Sequence, residues 1–170
     1  MSESRIEAQL KLKSDVALLG LIGDWLCALA RGVPGTDLVI DLEMNLRLII
    51  TELFTNCIRH AYAGRSDGDV QLDFAATEDK LELGVHDWGP GPGKGFDVEH
   101  ITLPPNNAEC AGGRGLFLVR QLVHKLSYER SGERSTFRVV IDIPAMSMSD
   151  DELLAAVFGD QSLTADGEQS

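Results

Sequence analysis

Apolar and polar positions divide the chain into strand-like and helix-like stretches. From Arg5 to Lys13, Ile6, Ala8, Leu10 and Leu12 alternate with Glu7, Gln9 and Lys11, which predicts a first strand with one buried face. Ser14-Asp15 offers a helix cap, and Val16 to Ala30 reads as a helix that is apolar nearly all round, interrupted by Asp24. A helix apolar on every side has to be covered on every side, so deep burial is expected, with a subunit interface as the alternative. A turn at Gly32 to Thr36 leads into a long second helix, starting between Asp37 and Asp41 and ending near Ala63-Gly64. Two alternating runs, Val70-Leu72-Phe74 and Leu81-Leu83-Val85, flank a turn at Thr77 to Lys80 and predict a hairpin. From Asp87 to Gly115 periodicity is lost, as expected of a functional lid. Leu116 to Lys125 then reads as an amphipathic helix, and Thr136 to Ile143 as a last strand closed by Pro144.

The second helix carries the pattern that matters most. Between Leu48 and Tyr62 it is apolar enough for core, yet Glu52, Asn56 and His60 recur every four residues and so form one polar seam. A carboxylate and an amide along an apolar helix are costly to bury without partners. Such a seam faces a ligand, a metal or another polar element, or else it is a solvent-facing stripe.

Composition narrows the class. A chain of 170 residues with 44% hydrophobic content suits one globular domain. A net charge of -12 argues against non-specific binding to nucleic acid or anionic membrane. The charge is concentrated at the end, where Asp150, Asp151, Glu152, Asp160, Asp166 and Glu168 stand with no Lys or Arg. Ser149 and Glu152 form a capping box there, with Met148 and Leu153 as a staple and Gly159 as a stop. That predicts a short docked helix, then disorder from about Gln161. Cys27, Cys57 and Cys110 are too scattered for a disulfide framework or a zinc site. The start of the chain has no basic-then-apolar signal pattern, which reads as cytoplasmic.

Glycine-rich turns before helices favour anions, and Gly112-Gly-Arg-Gly115 opens a helix. The run from Gly89 to Gly95 fails as a Walker A loop, because Trp88 stands where the first glycine belongs and Gly95 where Ser or Thr belongs. Pro90 and Pro92 exclude the dinucleotide fingerprint. The lysine strand and catalytic loop of a two-lobed kinase are missing. His60, His86, His100 and His124 show no metal spacing and read as structural.

Three boxes remain in order: Glu52-x-x-x-Asn56, Asp87-x-Gly89-x-Gly91, and Gly113-x-Gly115 at a helix start, followed by Thr136 on the last strand. In that order they resemble the GHKL (Bergerat-fold) ATPase superfamily of gyrase, MutL and histidine kinases, and within it the anti-sigma-factor serine/threonine kinases of the RsbW/SpoIIAB type. The resemblance covers roughly residues 5 to 144 and implies an α/β (α+β) two-layer sandwich, with a mixed, mostly antiparallel sheet and helices on one face. It implies an ATP-binding kinase domain over residues 1–145, with residues 146–170 as an acidic extension. By resemblance, Asn56 holds Mg2+ on the triphosphate, Asp87 accepts from the adenine amino group, and Gly89 and Gly91 admit base and ribose. Gly113 and Gly115 hinge the lid and meet the phosphates, Thr136 reaches adenine, Arg59 and Arg114 are phosphate cations, and Glu52 is the general base. ATP and Mg2+ are the implied cofactors. A STAS-type anti-anti-sigma protein is the implied phosphorylation substrate and a sigma factor or equivalent client the implied partner, with a homodimer as a further arrangement. An ATP-gated binding module with little kinase activity is the alternative. Two departures stand out: Pro92 replaces a bulky apolar residue, and Ala111-Gly112 lacks the arginine that some members place there.

Overall fold

A computed structural model describes residues 5–91, 98, 101 and 114–143. Five strands form one sheet: β1 (Ile6–Lys13), β2 (Asp69–Ala76), β3 (Lys80–Asp87), β4 (Lys125–Ser131) and β5 (Arg134–Asp142), in the order β1-β2-β3-β5-β4. The expected sheet was mostly antiparallel; all four described pairings are antiparallel. Among the described residues there are three α-helices: α1 (Leu19–Arg31), α2 (Leu42–Asn56) and α3 (Arg114–Leu122).

The layers follow from strand periodicity. Val70, Leu72, Phe74 and Ala76 of β2 and Leu81, Leu83 and Val85 of β3 are buried, and the register sets them side by side on one face. Phe137, Val139 and Ile141 of β5 continue that face. Against it pack Leu46, Ile49, Ile50, Leu53 and Phe54 of α2, Ile22 and Leu26 of α1, and Val119 of α3. Each such side chain contributes about 1.5–3 kcal/mol on burial, so this interface dominates the stability. The opposite sheet face is polar, with Gln9, Gln71, Asp73 and Thr136 among its residues.

Several boundaries differ from expectation. Asp15 does cap the first helix, accepting from Ala17 N at 2.9 Å, but Val16–Leu18 is a 3-10 turn. Ser14 instead bonds the Arg65 carbonyl at 2.6 Å and receives Gly68 N at 3.1 Å, tying the end of β1 to the approach to β2. α1 is not covered on every side: Leu21 is 58% exposed, and Val16 in the turn before it 60%, while Ile22, Leu26, Cys27 and Ala30 are buried. Two exposed ion pairs, Arg31–Glu43 and Arg47–Asp24, both 2.6 Å, join α1 to α2 and contribute little each. β4 was not foreseen, and α3 ends at Leu122, before the expected Lys125. The expected terminal helix after Ser149 and most of the Asp87–Gly115 segment lie outside the described residues. Among the described residues no helix is long and apolar enough to cross a membrane.

Candidate functional site

The end of α2, the end of β3 and the start of α3 converge. After Asn56 the helix widens into a π-turn, Cys57–Ala61, with Tyr62 N bonding Cys57 O at 3.1 Å. Such turns interrupt the regular ladder and recur at functional sites. Here the π-turn ends the four-residue row, so Glu52 and Asn56 stay half-buried while His60 is exposed. The seam therefore has two members at the site rather than three.

Asp87 closes β3 and is 4% exposed. Its carboxylate accepts from Gly89 N at 3.0 Å and from the Cys57 thiol at 3.6 Å. Burial pushes the Asp87 carboxyl above the usual aspartate value, against the pull of those two donors and of the Arg130 and His86 charges. Burial likewise pushes the Cys57 thiol well up, as does the neighbouring Asp87 charge, so the thiol stays protonated and can donate. The chain leaving β3 is packed hard onto the end of α2. A Cβ at Gly89 would lie 2.4 Å from Ala61 Cα, so only glycine fits. Tyr62 adds a clasp: its hydroxyl donates to the Asp69 carbonyl and receives Trp88 N at 3.0 Å.

Glu52 lies one helical turn before Asn56 and faces the N-terminus of α3. A Cβ at Gly115 would sit 1.8 Å from Glu52 Oε2. The carboxylate thus lies where free N–H groups and the helix dipole favour negative charge. Asn56 Nδ2 is buried and has no hydrogen-bond partner among the described residues. An orphaned donor of this kind calls for an acceptor that the described residues do not supply. A phosphate oxygen would meet that need, while the oxygen of the same amide is a hard ligand suited to Mg2+. The site residues therefore fit a magnesium-bound polyphosphate.

The remaining expected residues divide. Gly89 and Gly91 lie on the chain leaving β3, Gly91 in the left-handed region at φ 75°. Arg59 is exposed on the π-turn, and Arg114, the first residue of α3, is exposed too. Gly113 lies outside the described residues. Thr136 requires a correction. In the β3–β5 register Thr136 stands opposite His86, and Ser135 opposite Asp87. Side chains alternate between faces, so Thr136 points away from α2; its hydroxyl bonds His86 Nδ1 at 2.8 Å, and His86 Nε2 meets Asp73 Oδ2 at 2.7 Å. The hydroxyl on the Asp87 face belongs to Ser135.

Cys57, Tyr62, Ser135, Tyr128 and Arg130 were missed. Ser135 was legible from alternation, because Phe137, Val139 and Ile141 mark the buried face and Ser135 shares their parity. Tyr128 and Arg130 stand on the unforeseen β4. Among the described residues no cluster of His, Cys, Asp and Glu could hold a metal without a ligand's help.

A family model described as the histidine kinase-like ATPase domain matches residues 12–141. The chain is 35% identical over 95 residues to a serine-protein kinase RsbW of Listeria monocytogenes, covering 50% of this chain and 58% of that protein. It is 27% identical over 135 residues to the serine-protein kinase RsbW of Bacillus velezensis, covering 76% and 81% of the two chains. The match thus spans little more than half the length of the Listeria relative. Among solved structures, the fold is similar to that of the RsbU and RsbW domains of a Mycobacterium tuberculosis protein, at a TM-score of 0.55 and 14% identity over 85% of this chain and 35% of that one.

Proposed function

Because the chain belongs to the histidine kinase-like ATPase domain family, we propose that it is an ATP-dependent protein serine/threonine kinase of a partner-switching pathway. It phosphorylates a STAS-type anti-anti-sigma protein and sequesters a sigma factor or an equivalent client, acting in the cytoplasm. The observation that carries this reading is the position of Glu52, one turn from Asn56 and against Gly115 at the head of α3. The similarity to proteins named serine-protein kinase supports it.

In this reading Asp87 accepts a hydrogen bond from the adenine amino group. The tight Gly89–Ala61 contact fixes the wall beside the base. Asn56, whose amide nitrogen has no partner among the described residues, binds the polyphosphate end, and its oxygen would hold Mg2+, which would supply charge neutralisation to the phosphoryl group. The α3 N-terminus, with Arg114 beside it, receives the phosphates. Glu52 takes the proton from the substrate hydroxyl as its oxygen bonds to the γ-phosphorus and the bond to ADP breaks. Residues 1–145 form this unit, and residues 146–170 are an extension that shapes partner binding.

Transfer of the labelled γ-phosphate of ATP to a purified STAS-domain partner tests the proposal. Radiolabel on a serine or threonine of the partner is expected. ATP-dependent capture of the partner without transfer would instead make the chain an ATP-gated binding module.

A further inference from the structure

One register row crosses the whole sheet on the helix-covered face: Leu12, Val70, Asp87, Ser135 and Arg130. Its first two members are apolar and its last three polar, so the row changes character where β3 ends. Arg130, on the edge strand β4, donates from Nη1 to the Gly89 carbonyl at 2.9 Å and to Ser135 Oγ at 2.7 Å. Tyr128 donates to the same Ser135 Oγ at 3.1 Å, and its ring packs on Phe137 with centroids 5.0 Å apart. The chain turns through Gly91 directly over these groups: a Cβ there would lie 2.8 Å from Arg130 Nη1 and 3.0 Å from the Tyr128 hydroxyl. Gly91 thus meets the positive φ that favours glycine, and a side chain there would have to displace the tips of Arg130 and Tyr128.

From this geometry we propose that Arg130 is a positioning residue for base recognition. It seats the Gly89–Gly91 loop on β4 and β5 and through that loop aims Asp87. The proposal rests on the nucleotide reading given above.

Gly89 is the link. Its N–H holds Asp87 Oδ1 and its carbonyl is held by Arg130, so one residue carries the constraint from guanidinium to carboxylate. The contact to Gly89 has an ionised donor, which makes it stronger than a neutral one. Without Arg130 the buried Gly89 carbonyl loses that donor, and the N–H on the same residue is free to turn away from Asp87. The guanidinium charge also favours the ionised, accepting form of Asp87. Arg130 touches neither the base nor the phosphates in this arrangement. Its effect should therefore fall on base selectivity alone.

ATP and ITP distinguish these roles, since ITP carries a carbonyl oxygen where ATP carries the amino group. Titrations of both nucleotides against wild type, Arg130→Met and Arg130→Lys are the experiment, with transfer rate at saturating ATP alongside. Wild type is expected to prefer ATP by more than about tenfold, the weight of one charge-assisted hydrogen bond. Arg130→Met should weaken ATP by about tenfold and ITP by less than about twofold, leaving the saturated rate within about twofold. Arg130→Lys, which keeps the charge and a donor, should retain part of the preference. Both replacements sit on an exposed edge position and leave the core untouched. Equal weakening of ATP and ITP, or a wild-type ratio in both variants, overturns the positioning role while leaving the nucleotide reading intact. A wild type that does not distinguish the two nucleotides overturns both.

Discussion

The carboxylate of Glu52 closes on the α-carbon of Gly115 so tightly that a methyl group there would lie 1.8 Å from Oε2 and 2.5 Å from Cδ. Helix propensity alone favours alanine over glycine by up to about 1 kcal/mol. The atom that a methyl group would meet is the tip of a flexible, half-buried side chain, so Glu52 can swing aside at little cost. Gly115→Ala is therefore expected to leave stability within about 1 kcal/mol of wild type while displacing the Glu52 carboxylate and lowering phosphotransfer by at least about tenfold. A double-mutant cycle with Glu52→Ala checks the cause: once the carboxylate is gone, Gly115→Ala should lower transfer no further. Additive losses in transfer would place the damage elsewhere.

Thr136 and Ser135 are adjacent in sequence and opposite in role. Thr136→Val leaves His86 Nδ1, buried on the outer sheet face, without its partner, and should cost about 1–3 kcal/mol of stability with ATP affinity nearly unchanged. Ser135→Ala removes the acceptor of both Arg130 and Tyr128 and should weaken ATP severalfold. Thermal melts and ATP titrations on the two variants decide. The opposite pattern would return Thr136 to the nucleotide side.

At Gly89 the obstruction is backbone, not a flexible side chain. A Cβ would be 2.4 Å from Ala61 Cα and 2.5 Å from its carbonyl oxygen. Gly89→Ala should push the loop off the end of α2, costing about 1–3 kcal/mol and more than about tenfold in ATP affinity. Gly132→Ala serves as the contrast: nothing lies within 4 Å of that site, and its φ of 60° adds only local strain. ATP affinity should survive there.

Two aspartates are shifted in opposite directions, Asp87 up and Asp73 down, so acid acts on them in sequence. Burial raises Asp87 above the ordinary 3.8, so on acidification it protonates earlier and ceases to accept from adenine. ATP affinity should therefore decline at pH values above 3.8, and the acid limb should be absent in Asp87→Asn. Burial alone would raise Asp73 as well, but donors from Gln9, Gln71 and His86 outweigh it and hold Asp73 below 3.8. Its contribution to stability is thus present above 3.8 and lost as pH falls through the lower folded value. Affinity should fail before this part of the stability does, as parallel ATP titrations and circular dichroism would record.

Much of this was legible because it rests on short-range periodicity. The β2–β3 hairpin, the α2 core face and the Glu52–Asn56 spacing follow from alternation and from the four-residue helical repeat. What was lost depends on departures from those repeats or on distant partners. The π-turn after Asn56 removes His60 from the seam, and nothing in Cys57–Ala61 announces an inserted residue. β4 escaped because Leu126 and Tyr128 are too few apolar positions to mark a strand, and its hairpin with β5 turns on Gly132. α1 was expected to be wrapped because its sequence is apolar all round, yet Ile22, Leu26 and Ala30 are buried in the core, Leu19, Trp25 and Leu29 pack partly buried against it, and Leu21 is left exposed. Thr136 was chosen by resemblance in motif; strand parity, set by Phe137 and Val139, assigns the inward hydroxyl to Ser135.

Single-turnover transfer by Glu52→Gln, beside Asn56→Ala, tests the central claim most directly. Glutamine keeps the size of Glu52 and its place against Gly115 but cannot take a proton. The account predicts ATP and partner binding near wild type in Glu52→Gln, with transfer slower by about 10²–10⁴. Asn56→Ala should lose binding and transfer together. Wild-type transfer by Glu52→Gln would contradict the assignment of Glu52 as the base.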